Sequence, residues 1–293
     1  MKKKICIITF SNIARDGRVL RQIKYLSQDY QIKVIGYGLP HPSWIDLPVE
    51  FHPIEPYQPS LFTRMADFTY LGLAQIFPAF YQKWYWRRLT RQKALKIALT
   101  DHCDAFHAND WDTLPIAAMA SEKFGTKLVF DAHEYAPLEF ENRWYWPLQR
   151  KGVDWVICQY LSKINLATTV VNAIAERYYQ EYGLKTQVIL NAPEMSDLPL
   201  RKEQNEKIHL VYHGVAGADR NTDKMIYTLQ LCDQRFVLDF MLTNMDSPYV
   251  QNLISLSASL APGRIFFHNP VDPEEIVKRI SEFDIGFFFA RTQ

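Results

Sequence analysis

A chain of 293 residues exceeds the usual length of one domain, so two domains are expected. Its 48% hydrophobic and 22% charged residues suit a soluble protein with buried cores, and a net charge of +1 gives no general reason to expect a nucleic-acid partner. The 4 cysteines, Cys6, Cys103, Cys158 and Cys232, lie far apart without a C-x-x-C pair; this pattern speaks against a disulfide framework or a zinc site and reads as thiols in a reducing compartment.

The basic start MKKKICIITF carries an apolar run that stops at Phe10, too short for a signal peptide. No stretch approaches the roughly 18 apolar residues of a membrane span, so a cytoplasmic protein is expected. Residues 5–10 (ICIITF) are β-branched and almost free of polar groups, as in a parallel strand buried on both faces. After a polar loop, Val19, Leu20, Ile23 and Leu26 share one face of a helix. Strands follow at 31–38 and 49–55. An aromatic-rich region then leads to DAFHAND (104–110), a helix over 114–124 with Pro115 in its first turn, and the strand KLVFDAHE (127–134). A helix near 147–165, a strand at 168–171, a helix from Asn172 stopped by Gly183, and the strand QVILN (187–191) complete this half. Repeated β-α-β units predict a doubly wound parallel sheet.

APEMSDLPLRKEQNEK (192–207), with 2 prolines and 7 charges, reads as a linker. The alternation then restarts with the strand IHLVYHG (208–214), a helix from Arg220, a strand at 236–243, a helix at 249–260 and the strand RIFFH. A helix over 272–283 is expected with Asp272 as its N-cap and acids in its first turn, and the strand DIGFFFA (284–290) follows. The architecture implied is two Rossmann-like α/β domains in tandem: 1–191, a linker at 192–207, and a partial second domain at 208–293. IGFFF is the kind of apolar run found inside sheets, and an uncovered strand at an open edge is an aggregation hazard. The native protein is therefore expected to continue past Gln293; the alternative is a short form whose last strand packs on a partner chain.

In open α/β sheets ligands bind beyond the carboxyl ends of the strands. DAFHAND and KLVFDAHE both finish there, so His107, Asn109, Asp110, Asp131, His133 and Glu134 are expected to line one crevice. The bland alternative is that these polar residues cap helices and solvate loops.

DGRVLRQI, DAFHANDWDTLPIA, VFDAHE, VVNAIAERY, VILNAPE and YHGV, in this order and over essentially the whole chain, resemble the GT-B glycosyltransferases. The closest likeness is to the retaining, nucleotide-sugar-using enzymes of family 4. That resemblance implies a first domain that receives the acceptor and a second that binds the nucleotide sugar, a co-substrate, with no other cofactor. His133 matches the family's active-site histidine, with the implied role of hydrogen-bonding the transferred sugar near an oxocarbenium-like transition state; a satisfied turn histidine is the competing reading. SNIARDGRV resembles the acceptor-side loop, which places Asp16 and Arg18 on the acceptor side along with Asp110 and Glu134. Helix-start electrostatics is the alternative for Asp16 and Arg18.

In the second domain the resemblance points to Gly214, the glycine that closes the first strand. The family commonly places Arg directly after it and a Lys a few residues on, to meet charge developing on the departing diphosphate. Val215 stands where that Arg is expected, and Arg220 and Lys224 are the nearby cations, opening a helix whose amide end favours anions. Lys224 also reads as a surface helix residue. The family's paired glutamates, spaced E-x-x-x-x-x-x-x-E, would follow DIGFFFA beyond residue 293, so the chain as given is expected to be inactive or strongly impaired. In this group the leaving phosphate is thought to take the acceptor's proton on the same face, which needs no glycosidase-type carboxylate pair. No cysteine cluster marks a metal site, and no metal is expected.

In FPAFYQKWYWRRLTRQKALK (77–96), Lys83, Arg87 and Arg91 recur at four-residue spacing and are expected on one helix face, with Phe80, Tyr81 and Trp84 alongside. Such a helix suits peripheral contact with an anionic membrane and a lipid-linked acceptor, or equally a helix packed on the first domain with cationic edges. ENRWYWPLQRKGVDW (141–155) has the same character. The leading expectation is transfer of a sugar from a nucleotide donor to a saccharide or lipid-linked acceptor with retention. A nucleotide-sugar epimerase on the same fold, and a non-catalytic subunit that scaffolds a partner transferase, remain as alternatives. A dinucleotide-dependent oxidoreductase is disfavoured because SNIARDGRV, not G-x-G-x-x-G, follows the first strand.

Overall fold

The computed structural model describes residues 2–140, 144–198 and 206–289. The chain forms two compact units, Met1–Ala192 and Pro193–Gln293. Of the sequence features singled out above, residues 141–143, the linker segment 199–205 and the final stretch 290–293 lie outside the described residues.

Unit 1 is built on the strands β1 (Lys4–Asn12), β2 (Gln31–Tyr37), β3 (Val49–Pro53), β4 (Ala105–Asn109), β5 (Lys127–Ala132), β6 (Leu166–Thr169) and β7 (Gln187–Val188). They pair in parallel in the order β3-β2-β1-β4-β5-β6-β7. Its helices are α1 (Gly17–Leu26), α2 (Leu61–Ala74), α3 (Ala79–Trp86), α4 (Leu89–Ala98), α5 (Leu114–Phe124), α6 (Trp146–Tyr160) and α7 (Asn172–Tyr182). Period-two alternation sorts the central strands between two faces. Ile7, Ile32 and Val34 pack with Val19, Leu20 and Ile23 of α1 and with Trp44. Cys6, Ile8, Phe106, Leu128 and Phe130 face a larger core to which α3 to α6 contribute Tyr81, Trp84, Tyr85, Ala117, Trp146 and Val156. A sheet covered on both sides explains why β1 reads as an unbroken apolar run. Gly183 ends α7 in the left-handed region at φ +65, a conformation open to it because it has no Cβ.

Unit 2 repeats the plan with β8 (Ile208–Gly214), β9 (Phe236–Leu242), β10 (Ile265–His268) and β11 (Ile285–Gly286), all parallel, in the order β10-β9-β8-β11. Helices α8 (Thr222–Leu231), α9 (Pro248–Leu260) and α10 (Ile276–Ile280) complete it, and Met225, Ile226, Leu229, Val250 and Leu253 pack with Leu238, Phe240 and Leu242. Buried Asp239 on β9 is satisfied by His209 Nδ1 at 2.8 Å from β8 and His268 Nε2 at 2.7 Å from β10, which ties three strands together.

Several expected elements are different in the structure. Residues 77–96 are not one helix: α3 stops at Trp86, Arg88 is extended (φ −79, ψ 118), and α4 begins at Leu89. The proposed basic face dissolves with it. Lys83 is exposed, Arg87 pairs with Asp67 at 2.6 Å, and Arg91 is buried. The break frees the Tyr85 carbonyl, which accepts from Arg91 Nη1 at 3.1 Å while the guanidinium lies 4.0 Å from the centre of the Tyr85 ring. Tyr81, Trp84 and Tyr85 become core side chains. The helix expected over 272–283 contracts to Ile276–Ile280, and its N-cap is Glu275, not Asp272. Among the described residues, QVILN and DIGFFFA supply two paired strand residues each, Gln187–Val188 and Ile285–Gly286.

Candidate functional site

In unit 1 the strand order reverses between β1 and β4, the point where open parallel sheets place their ligands. Asn109 on β4, Asp131 on β5 and Thr168 on β6 are successive register partners, so their side chains share the face that α1 covers. Asp131 is 1% exposed and collects four side chains. Arg18 reaches both of its oxygens, with Nε at 2.9 Å from Oδ2 and Nη2 on Oδ1. Gln22 Nε2 donates to Oδ2, Thr168 Oγ1 donates to Oδ1 at 2.6 Å, and His133 Nε2 lies 3.1 Å from Oδ2. Arg18 and Gln22 are one helical turn apart on α1, which lets a single helix face deliver both. Burial alone would raise the Asp131 pKa, but the bonds from His133 and Arg18 outweigh it and hold the carboxyl far below the usual range.

His133 faces a partner on each ring nitrogen. Nε2 also meets Asn109 Oδ1 at 3.1 Å, and Nδ1 lies 3.2 Å from Asp110 Oδ2. Burial works against the imidazolium, yet the Asp131 bond and the charges of Asp110 and Asp131 raise its pKa overall. Asp110 holds the turn. Its backbone sits in the left-handed region at φ +65, which aspartate tolerates better than most residues, and its Oδ1 accepts the His133 amide at 3.0 Å. Desolvation pushes the Asp110 carboxyl up to about 7, against the pull of His133. His107, buried one strand position back, is pushed down to about 4 by burial.

A cavity of about 300 Å³ opens beside this cluster. Its walls combine Asn109, Asp110, Asp112 and Glu139 with Arg88, Arg91 and the rings of Phe10 and Trp111. Desolvation and the charges of Asp110 and Asp112 push the Glu139 carboxyl up to about 8, although Trp111 Nε1 donates to it at 3.3 Å. Asp112 is likewise raised by burial, while Arg91 and Arg88 work against the rise. Asn109 lines this cavity, and its buried Nδ2 donor has no partner among the described residues.

Unit 2 has its own reversal, between β8 and β11. The loop after β8 turns at Gly214, whose φ of +125 suits only glycine. Asn244 braces it with two bonds of 2.9 Å, Ala216 N to Oδ1 and Nδ2 to Ala216 O. Tyr212 OH donates to Val215 O at 2.7 Å. Arg220 ends a short 3-10 turn (Ala218–Arg220), Lys224 lies in the first turn of α8, and both are exposed.

No family model matches the chain, and no curated protein matches it in sequence. Solved structures do match its fold. HepE from Anabaena, in complex with UDP and glucose, superposes with a TM-score of 0.63 at 17% identity, over 98% of this chain and 73% of that one. Sucrose-phosphate synthase from Thermosynechococcus elongatus gives 0.64 at 11% identity, over 97% and 75%. The fold is GT-B. It is shared by a putative UDP-N-acetylglucosamine 2-epimerase from Listeria monocytogenes, with a TM-score of 0.55 at 9% identity, over 94% and 71%.

On this GT-B scaffold, His133, Asp110, Asn109, Asp131 and Arg18 are drawn into one network. Asp16 stands at the start of α1, where its Oδ1 accepts the amides of Arg18 and Val19 at 3.2 Å each. Arg18 is 8% exposed and committed to Asp131, so it acts as a clamp and not as a free contact. Glu134 is exposed, and its carbonyl accepts from Tyr178 OH at 3.2 Å. Gln22, Thr168, Asp112 and Glu139 were not foreseen. The i, i+4 spacing of Arg18 and Gln22 carried a signal for the first, and strand parity for the second. Nothing local marks Glu139, which arrives from a loop.

Proposed function

We propose that this chain is a glycosyltransferase that moves a sugar from a nucleotide-sugar donor to a saccharide or lipid-linked acceptor with retention of configuration. The observation that carries the reading is the cavity at the β1/β4 switch point, where Asn109 with its buried, unpartnered donor, four carboxyl groups and aromatic rings meet the His133 cluster. A pyranose presents hydroxyl groups at its edge and apolar C–H groups on its faces, and these walls can meet both. Unit 2, with the Gly214 turn and the exposed cations Arg220 and Lys224, is assigned the donor. HepE has been solved with UDP-glucose as well as with UDP and glucose, which supports that donor class.

Retention is supported by the state of His133. An imidazole whose two nitrogens both face protein partners has none free to take the proton of the incoming hydroxyl. In this proposal the departing phosphate takes that proton on the same face. His133 presents its N–H to the site, and Asp131 holds the ring in place. A lipid-linked acceptor is supported by α2, whose outer face is apolar: Phe62 is 82% and Ile76 just beyond the helix 72% exposed, with Met65 and Leu73 between them. We place the protein in the cytoplasm with peripheral contact to an anionic membrane; no helix among the described residues is long and apolar enough to cross one.

Acceptor-dependent release of nucleotide from a UDP- or GDP-sugar by the full-length protein tests the reading. His133→Ala should lower turnover by about 100-fold or more with the fold retained; undiminished transfer removes His133 from the site. A second reading, epimerisation of the donor, is favoured by the extra acids Asp110 and Glu139, whose pKa values of about 7 and 8 suit proton exchange near neutrality. Epimerised donor formed without any acceptor would establish it in place of transfer.

A further inference from the structure

A second cavity, of about 390 Å³, adjoins the first at the carboxyl end of β1, and the two share Ser11 and Asp16 in their walls. The first combines Asp110, Asp112 and Glu139 with Arg88 and Arg91; the second is walled by Arg15, Arg18 and Arg21, with Ser11, Asn12 and Asn191 as neutral hydrogen-bonding groups. The Arg18 charge is already met by Asp131. Arg15 and Arg21 form no ion pair among the described residues, and Arg21 Nη2 donates only to Asn191 Oδ1. The one carboxylate in the lining, Asp16, accepts the first amides of α1. Two guanidinium groups therefore face one cavity with a single, partly occupied counter-charge between them.

We propose that this second cavity binds a phosphoryl group carried by the acceptor, so that the acceptor is a phosphorylated saccharide spanning both cavities. The inference rests on the transferase reading for the neighbouring cavity and gives that reading a substrate class. Guanidinium forks match the geometry of phosphoryl oxygens, and Ser11 and Asn12 add neutral hydrogen-bonding groups. The phosphoryl group has two chemical sources, a soluble sugar phosphate or a saccharide joined through a diphosphate to a lipid.

Calorimetric titration of the full-length protein with inorganic pyrophosphate, with UDP held saturating to occupy the donor site, tests the cavity without any turnover. Arg15→Gln/Arg21→Gln should weaken pyrophosphate about tenfold or more, the loss expected for removing charge-assisted bonds. Arg15 is exposed, so Arg15→Gln alone leaves the core untouched and should give a smaller loss in the same direction. Pyrophosphate affinity unchanged by either substitution overturns the proposal. In transfer assays the KM for the acceptor should rise about tenfold in the double variant, with soluble hexose phosphates and vesicle-borne diphosphate-linked saccharides compared to identify the source. A rise in donor KM alone, or equal use of the dephosphorylated saccharide, also overturns it. Should no donor be turned over at all, the transferase reading falls, while the pyrophosphate titration still decides the site.

Discussion

Asp131 organises the site more than any residue that lines it. Removing its charge would strand Arg18 in a nearly dry environment, and breaking a buried pair on one side typically costs about 3–5 kcal/mol. Asp131→Asn should lower the stability of unit 1 by about that amount in urea unfolding; a loss within error of zero would show that the clamp is not what holds α1 to the sheet. Around it, titration pulls in one direction above neutrality. Asp110 and Glu139, raised to about 7 and about 8, bind protons more tightly when folded, so stability declines as pH climbs from the unfolded carboxyl value near 4 through those values. His133, raised above its ordinary value, contributes stability that is complete below about pH 6.5 and is lost as pH rises through its folded pKa. Asp131 acts oppositely: its depressed pKa stabilises above about pH 4 and that contribution is lost as the pH drops below it. The melting temperature should therefore peak near about pH 5 and decline toward about pH 8, and Asp110→Asn/Glu139→Gln should flatten the decline. A wild-type curve already flat over that range would refute the assignment. Because Asp110 and His133 face each other, their contributions will not add.

Elements were legible where one physical rule sufficed. The buried strands announced themselves as β-branched runs, and α5 and α7 through Pro115 and Gly183. The break between α3 and α4 was not, because it depends on tertiary partners: Asp67 holds Arg87, and the Tyr85 ring receives Arg91. A repeat of cations at four-residue spacing says nothing of whether the chain stays helical between them. The outward apolar face belongs instead to α2, where Phe62, Met65, Leu73 and Ile76 follow helical spacing toward solvent. If this face meets lipid, placing carboxylates on it removes buried apolar area and adds repulsion from anionic headgroups. Phe62→Glu/Ile76→Glu should reduce sedimentation with phosphatidylserine vesicles about tenfold or more, without lowering the melting temperature. Unaltered sedimentation would leave the lipid-linked acceptor without this support.

At the scale of the whole molecule, one strand order occurs twice, β3-β2-β1-β4 and β10-β9-β8-β11, and each places its reversal beside the first strand of its unit. That repetition was readable from the β-α alternation, since parallel strands joined by right-handed helical crossovers leave few possible orders. The clamp on Asp131 was only half readable, since α1 and β5 are separated by more than a hundred residues and only folding sets their distance. Each unit also has hydrophobic cores of its own, built from residues that do not mix in sequence. Two cores unfold as one only if they are strongly coupled, so calorimetry should resolve two transitions. UDP at about 100 times its Kd stabilises the unit that binds it by about 2.7 kcal/mol, and for a unit of this size that moves the melting temperature by several degrees. If unit 2 holds the donor, UDP should raise one transition and leave the other in place. Asp131→Asn identifies the second transition, because its effect belongs to unit 1: it should lower the one that UDP does not touch. UDP and the substitution acting on the same transition would place the nucleotide on unit 1 and reverse the division of labour between the two sheets.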